Sequence, residues 1–415
     1  MVEHDLAKVG VASSSLVFRS KVARMVESVD TRDLKSLGHY GCAGSSPASS
    51  TKKIAIIRQR NGCDFYFKRE IVTSRSKQKM RTILLICFSL LGTLPTVYGQ
   101  SSIEKDRDAF RREADRFLSA MPDGLQEQQT QAILQAIQGD TVPLTRIRAS
   151  RNIPTPLPTD VNAIYITPAL RLYTPVKKNQ SPLPLLIYLH GGGWTFGSIN
   201  SCARFCQTLA ATGNVIVLAV DYRLAPEHPF PDGLEDCIRA VKLARKKALE
   251  WGSSPELISV GGDSSGGNLA LSVCLHNLQN GMPPLRSLLL FYPVVSAWND
   301  ASPSWKTYQK GAALDGSLME AFNQAYTRGQ AKHPFISPSL CPDSLLSRLP
   351  RLLLVAAERD ILCDQGKEFT DHVKRLGVTA HREVLPGTVH LFITVPGQDT
   401  AFRHAVSLAE DFLRP

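Results

Sequence analysis

The chain has 415 residues, of which 43% are hydrophobic and 20% charged, enough for one large domain or two ordinary ones. Its formal net charge is +11, but residues 1–99 hold 16 Lys and Arg against 7 Asp and Glu, leaving 32 against 30 for the remainder. The main body is therefore close to neutral and shows no basic face interleaved with aromatics, so no nucleic-acid partner is expected.

The segment 23–36 carries no apolar periodicity. Gly44-Ser45-Ser46-Pro47 is what the bases GGTTCGAGTCC encode, which resemble the T-arm of a transfer-RNA gene. Residues 1–79 are expected to be disordered, translated upstream sequence, with the native start at Met80. Residues 80–99 read as a secretory signal: Met80-Arg81 gives a basic start, and the apolar run 83–91 is too short to span a bilayer. Leu94-Pro95 breaks the helix, and Val97-Tyr98-Gly99 precedes a cleavage point near Gly99/Gln100. This predicts a secreted or periplasmic protein with no stable membrane span. Six of the nine cysteines follow this point, too few for a disulfide scaffold. Cys202, Cys206, Cys237 and Cys274 fall in or beside helix-like segments and are expected to be buried thiols. Cys202 and Cys206 lack a second Cys/His pair at a matching spacing, so no metal site is expected.

From residue 100 to about 140 the pattern is helical, with Ile103, Phe110, Phe117 and Leu118 at helical spacing. Met121-Pro122-Asp123-Gly124 interrupts it, and a second helix is expected over 125–137. A Pro/Thr-rich link at 153–158 follows. Strands are then expected at 163–166, 170–174, 185–189, 215–220, 257–260, 288–291, 352–356 and 382–385. Several are continuous apolar runs, as in strands covered on both faces. Helices are expected between them at 203–211, 233–247, 268–278, 366–376 and 400–413. Alternating strand and helix gives an α/β fold with a mostly parallel, doubly wound sheet. Between 293 and 349 no strand is seen, only Trp298, Trp305, Tyr308 and a helix at 317–326, as expected of an insertion over a site.

Gly262-Asp263-Ser264-Ser265-Gly266 stands between a strand and a helix, the layout of a nucleophile elbow. The serine needs a base, and His390, just past the last strand, is the candidate. The base needs an orienting carboxylate, and Asp360 follows the strand at 352–356. Glu358 and Asp364 compete for that place, although Asp364 reads as an N-cap of the next helix. The order Ser264, Asp360, His390 is that of the α/β-hydrolases. His190-Gly191-Gly192-Gly193-Trp194 follows the strand at 185–189 and can turn its amides toward an oxyanion, together with Ser265. No nucleotide-binding glycine pattern is present.

His190–Gly193, then Asp221-Tyr222-Arg223-Leu224-Ala225-Pro226-Glu227, then Gly262–Gly267 resemble the hormone-sensitive-lipase-like branch of the α/β-hydrolases over roughly residues 145–412. The resemblance implies an α/β-hydrolase fold, a catalytic domain over 146–415, N-terminal cap helices over 100–145 and a cap insertion at about 296–345. It implies Ser264, Asp360 and His390 as catalytic residues, and the glycines 191–193 with Ser265 as the oxyanion hole. His190, Asp221, Arg223, Glu227 and Asp263 are implied as supporting residues. The activity implied is that of a serine carboxylesterase on short- to medium-chain esters, with no cofactor and no metal, acting alone or as a homodimer. A deacetylase of sugar or other specialised esters would use the same triad. A non-catalytic small-molecule receptor on this fold would lack the histidine. Two positions depart from the family: Leu391 replaces the usual glycine after the histidine, and Ser265 replaces the commoner alanine. Trp194, Trp298 and Trp305 are expected either to line a substrate pocket or to pack the cap.

Overall fold

The computed structural model describes Ile103 and residues 105–415; the expected upstream translation (1–79) and signal segment (80–99) lie outside the described residues. In chain order the elements are α1 (105–119), α2 (Leu125–Ile137), α3 (Val142–Arg151), β1 (Val161–Thr167), β2 (Leu170–Pro175) and β3 (Leu185–Leu189). There follow α4 (Ala203–Ala211), β4 (Ile216–Val220), α5 (Asp232–Trp251), β5 (Ile258–Asp263), α6 (Ser265–Gln279) and β6 (Ser287–Phe291). The remainder is α7 (Pro303–Tyr308), α8 (Gly316–Thr327), α9 (Asp343–Leu346), β7 (Arg351–Arg359), α10 (Cys363–Arg375), β8 (Ala380–Val389) and α11 (Asp399–Leu413).

The eight strands form one sheet in the order β1-β2-β4-β3-β5-β6-β7-β8. β1–β2 and β2–β4 are antiparallel, and every later pair is parallel. Strands buried on both faces need apolar side chains at odd and even positions alike. β3 meets this with Leu185, Ile187 and Leu189 in one core and Leu186 and Tyr188 in the other. The first core holds Leu234, Ile238 and Val241 of α5, Leu269 and Val273 of α6, and Phe369 of α10. The second holds Phe205 and Leu209 of α4, Phe402 and Val406 of α11, and Phe110 of α1.

Several elements differ from the sequence expectation: the insertion holds the short helices α7 and α9 beside the expected one, α5 and β1 run longer, and α3, β7 and β8 also depart from it. α3 is a separate helix, opened by Pro143 in its first turn, where the missing N–H is no loss. β7 and β8 run longer than the apolar stretches, with a register shift between Ala357 and Arg359. Pro386 and Gly387 thus lie within β8 rather than in a loop. β8 is an edge strand, where a proline costs no ladder bond on the open side.

The insertion between β6 and β7 carries α7, α8 and α9. α2 packs on α8, and the Asp315 amide at the start of α8 donates to Gln126 Oε1 of α2 at 2.7 Å. The insertion returns to the domain through Asn268 of α6, whose amide nitrogen donates to Val294 O and Ile336 O, both at 2.9 Å. Among the described residues, no helix is long and apolar enough to cross a membrane.

Gly266 is fixed by the fold. A Cβ there would overlap the backbone oxygens of Leu189 and His190, whereas at Gly366 in α10 the nearest atom is a Leu354 methyl at 3.5 Å. Gly266→Ala should lower unfolding stability by about 3 kcal/mol or more. Gly366→Ala should leave it unchanged or raise it by up to about 1 kcal/mol. Urea midpoints of the two variants against the wild type check this, and a wild-type midpoint for Gly266→Ala would contradict the packing described.

Candidate active site

β5 ends at Asp263 and α6 begins at Ser265, leaving Ser264 alone to reverse the chain. It does so at φ 53 and ψ −119, a conformation that costs an L residue about 1–3 kcal/mol and persists only when its surroundings enforce it. They do so here: the Ser264 amide donates to Phe291 O of β6 at 2.9 Å, and Ser264 O accepts from Val294 N at 3.2 Å.

Asp360 follows β7 and His390 follows β8, so both arrive at the same edge of the sheet as Ser264. His390 Nδ1 lies 2.6 Å from Asp360 Oδ2, and His390 Nε2 lies 3.1 Å from Ser264 Oγ. A carboxylate only accepts, so Nδ1 carries the proton and Nε2 is left to accept from the serine hydroxyl. Asp360 Oδ1 accepts the Leu362 amide at 3.0 Å. Ser264, Asp360 and His390 are 6%, 1% and 2% exposed, so the chain of hydrogen bonds is shielded from water. Gln398 holds the His390 segment in place: its Oε1 accepts Val389 N at 3.0 Å and its Nε2 donates to His390 O at 3.2 Å. The Tyr292 ring packs 4.2 Å from the imidazole.

The two competing carboxylates face elsewhere. Glu358 accepts Gly387 N at 2.6 Å. Asp364 is not the N-cap of α10 but sits inside its first turn and accepts the Ser304 amide of α7 at 2.8 Å, satisfying a free donor at that helix start.

Gly192 and Gly193, in the loop after β3, have φ of 122 and 60, a region that glycine adopts freely. Among the described residues, neither amide has a protein acceptor. The Ser265 amide joins them at the N-terminus of α6, where the helix dipole also favours negative charge. Gly191 must be removed from the expected set of oxyanion donors, because its amide donates to Asp263 Oδ1 at 3.0 Å. The same oxygen accepts the Tyr188 hydroxyl at 3.0 Å. Asp263 thus ties the glycine loop to the elbow.

The expected supporting residues divide. Tyr222 was missed, although it lies inside the Asp221–Glu227 segment; its hydroxyl donates to His190 O at 2.7 Å and its ring stacks on the imidazole at 4.3 Å. His190 Nδ1 meets Gly191 O at 2.9 Å, while its Nε2 stands 3.6 Å from Asp221, beyond hydrogen-bond length. Glu227 reaches the loop through Arg148, also missed: Arg148 pairs with Glu227 at 2.7 Å and donates to Thr195 O at 2.7 Å and Ala225 O at 2.6 Å. Arg223 does not buttress the loop. It pairs with Asp232 and Asp236 of α5, both at 2.9 Å.

Burial pushes the phenols of Tyr188, Tyr222 and Tyr292 well above their ordinary values, keeping them protonated as donors. Trp194 and Trp305 are fully buried packing residues, and half-buried Trp298 lies under the Lys332 ammonium. Cys202, Cys206, Cys237 and Cys274 are buried and unpaired. Among the described residues, no group of His, Cys, Asp and Glu could hold a metal ion.

Leu391 has φ 73, in the left-handed region that glycine adopts freely. The leucine at this family-glycine position therefore strains the segment that carries the imidazole.

A mostly parallel sheet with an elbow serine, a following acid and histidine, and a glycine loop after β3 defines an α/β-hydrolase. The chain belongs to the α/β hydrolase fold family, in its hormone-sensitive-lipase-like branch, with residues 186–394 matching. It is 34% identical over 228 residues to carboxylesterase NlhH of Mycobacterium tuberculosis, covering 54% of this chain and 70% of that protein. It is 34% identical over 232 residues to an arylesterase of Saccharolobus solfataricus, covering 55% of this chain and 73% of that protein. Among solved structures, a thermostable esterase from Pseudomonas putida superposes with a TM-score of 0.63 at 25% identity, covering 73% of this chain and 98% of that one.

Two outcomes follow for the loops. Burial raises the Asp263 carboxyl above its ordinary value, with the Tyr188 hydroxyl and the Gly191 amide opposing. The folded protein therefore holds that proton to higher pH than the unfolded chain, and ionising it costs stability as pH rises above about 4. In Asp263→Asn the melting temperature relative to wild type should climb as pH rises above about 4, the ordinary carboxylate value. A flat or falling difference would contradict the raised carboxyl. Leu391→Gly should remove a strain of about 1–2 kcal/mol, offset by roughly half that in glycine's chain entropy, and so raise the melting temperature slightly. Leu391→Val, branched at Cβ, should lower it.

Proposed function

We propose that the protein is a serine carboxylesterase of short- to medium-chain esters. The observation that carries this is the unbroken chain Asp360–His390–Ser264, with separations of 2.6 and 3.1 Å, beside the unengaged amides of Gly192 and Gly193. Ser264 Oγ attacks the ester carbonyl carbon while His390 Nε2 takes its proton. Asp360 holds the imidazole and stabilises it when charged. The carbonyl oxygen, now negative, accepts from the amides of Gly192, Gly193 and Ser265. The tetrahedral species collapses as His390 returns the proton to the leaving alcohol, giving an acyl group on Ser264. Water then repeats the sequence with His390 as base and frees the carboxylic acid.

The relatives named as a carboxylesterase and an arylesterase support ester hydrolysis. Export through the segment 80–99 to a secreted or periplasmic location is part of the proposal, and N-terminal sequencing of the native protein tests it: a mature start near Gln100 is expected, and a peptide from residues 1–79 would overturn the upstream assignment.

Hydrolysis of p-nitrophenyl acetate by the wild type, Ser264→Ala and His390→Ala tests the chemistry. Each variant should lose roughly 10^4-fold or more in kcat. Equal activity in wild type and Ser264→Ala would remove the serine from the mechanism.

A further inference from the structure

The ladder between β7 and β8 is interrupted next to the triad. Ala357 pairs with Leu385 and Arg359 with Val389, so Glu358 alone stands opposite Pro386, Gly387 and Thr388. A bulge of this kind takes backbone groups out of the ladder and re-aims the residues beside it. Here those are Asp360, directly after Arg359, and His390, directly after Val389.

Gly387 sits at the centre of the bulge with φ 72 and is buried, so its backbone groups need partners. The side chains of the two residues before Asp360 supply both. Glu358 accepts the Gly387 amide at 2.6 Å, and Arg359 Nε donates to Gly387 O at 2.8 Å. Arg359 is itself held by Asp115 of α1 at 2.7 Å. α1 also backs the glycine, since a Cβ on Gly387 would lie 2.9 Å from that of Arg111. The residues that follow are pinned as well: Thr388 Oγ1 donates to Leu385 O at 2.7 Å, and Gln398 Oε1 accepts Val389 N at 3.0 Å. A shift of Gly387 is therefore passed along a taut segment to the imidazole three residues on.

We propose that Glu358 and Arg359 are positioning residues for the base: by clamping Gly387 they fix His390 against Asp360 and Ser264. This inference rests on the serine-esterase reading and adds to it two residues outside the triad. Glu358 acts as a hydrogen-bond acceptor and not through its charge. A misplacement of about 1 Å at a reacting group costs on the order of 10^2-fold in rate.

The test is p-nitrophenyl acetate hydrolysis by wild type, Glu358→Ala, Glu358→Gln and Arg359→Met, with kcat expressed per reactive serine. Those serines are counted by the p-nitrophenol released on stoichiometric reaction with a p-nitrophenyl phosphonate, so unfolded enzyme does not enter the comparison. In Glu358→Ala, kcat and kcat/KM should fall together by about 10- to 100-fold, with KM within about twofold of wild type. Glu358→Gln keeps an acceptor oxygen and should recover kcat to within about threefold of wild type. Arg359→Met keeps the apolar stem without the donor, and its kcat should fall with KM unchanged. An unchanged kcat in both Glu358→Ala and Arg359→Met, a loss confined to KM, or a Glu358→Gln no better than Glu358→Ala would overturn the clamp and leave the esterase reading standing. Absence of Ser264-dependent hydrolysis in the wild type would instead overturn the esterase reading itself.

Discussion

The carbonyl oxygen of Leu189 lies so close to Gly262 and Gly266 that a methyl group on either would overlap it. This approach brings the end of β3, the end of β5 and the start of α6 around one point. At the same point the chain reverses at Ser264, whose positive φ takes it from β5 into α6 without a loop. The serine oxygen then stands above the sheet edge, and the amide of the next residue is free because it opens a helix. Leu189 is also the residue from which the His190–Gly193 loop departs. The nucleophile and both sources of oxyanion amides therefore share one anchor and cannot be displaced independently.

Asp263 adds a polar tie at the same place. A buried carboxylate is costly unless its lone pairs are used, and here one oxygen takes both the Tyr188 hydroxyl and the Gly191 amide. Tyr222 and Arg148 hold the same loop from its other side through backbone oxygens. The loop is thus fixed by its carbonyls and by one amide, while the next two amides stay unengaged. That division suits a site built to bind charge that appears only during reaction.

The other half of the site depends on a longer reach. β7 and β8 extend past the segments expected from the sequence, and Asp360 and His390 follow at their ends. Gln398 and Tyr292 close around the histidine segment, which carries the strain of Leu391. Above the loop side, contacts become aromatic, with Phe322 and Tyr326 of α8 on Gly193 and Trp194. The glycine loop thus lies between a polar, tightly hydrogen-bonded side and an aromatic one.

Much of this was legible in the sequence. Apolar runs located every strand of the parallel sheet, and the residues 203–211 and 125–137 were bounded as the structure has them. Chain order and strand context picked out Ser264, Asp360 and His390, because a strand followed by a turn places its next residue at the sheet edge whatever the partners are. The failures share one cause. Gly191 could not be told from Gly192 and Gly193, since only the position of Asp263 decides which amide is engaged. Arg223 and Asp364 have local signals, but their partners were chosen by how α5 and α7 dock. Arg148 and Phe322 carry no local signal, as each acts on residues distant in the chain. Periodicity and glycine placement are local properties, and together with chain order and the family resemblance they marked out the elements and the candidate site residues. Which donor meets which acceptor, and which ring covers which glycine, depends on the order of strands and the docking of α3 and α8, which only the tertiary structure settles.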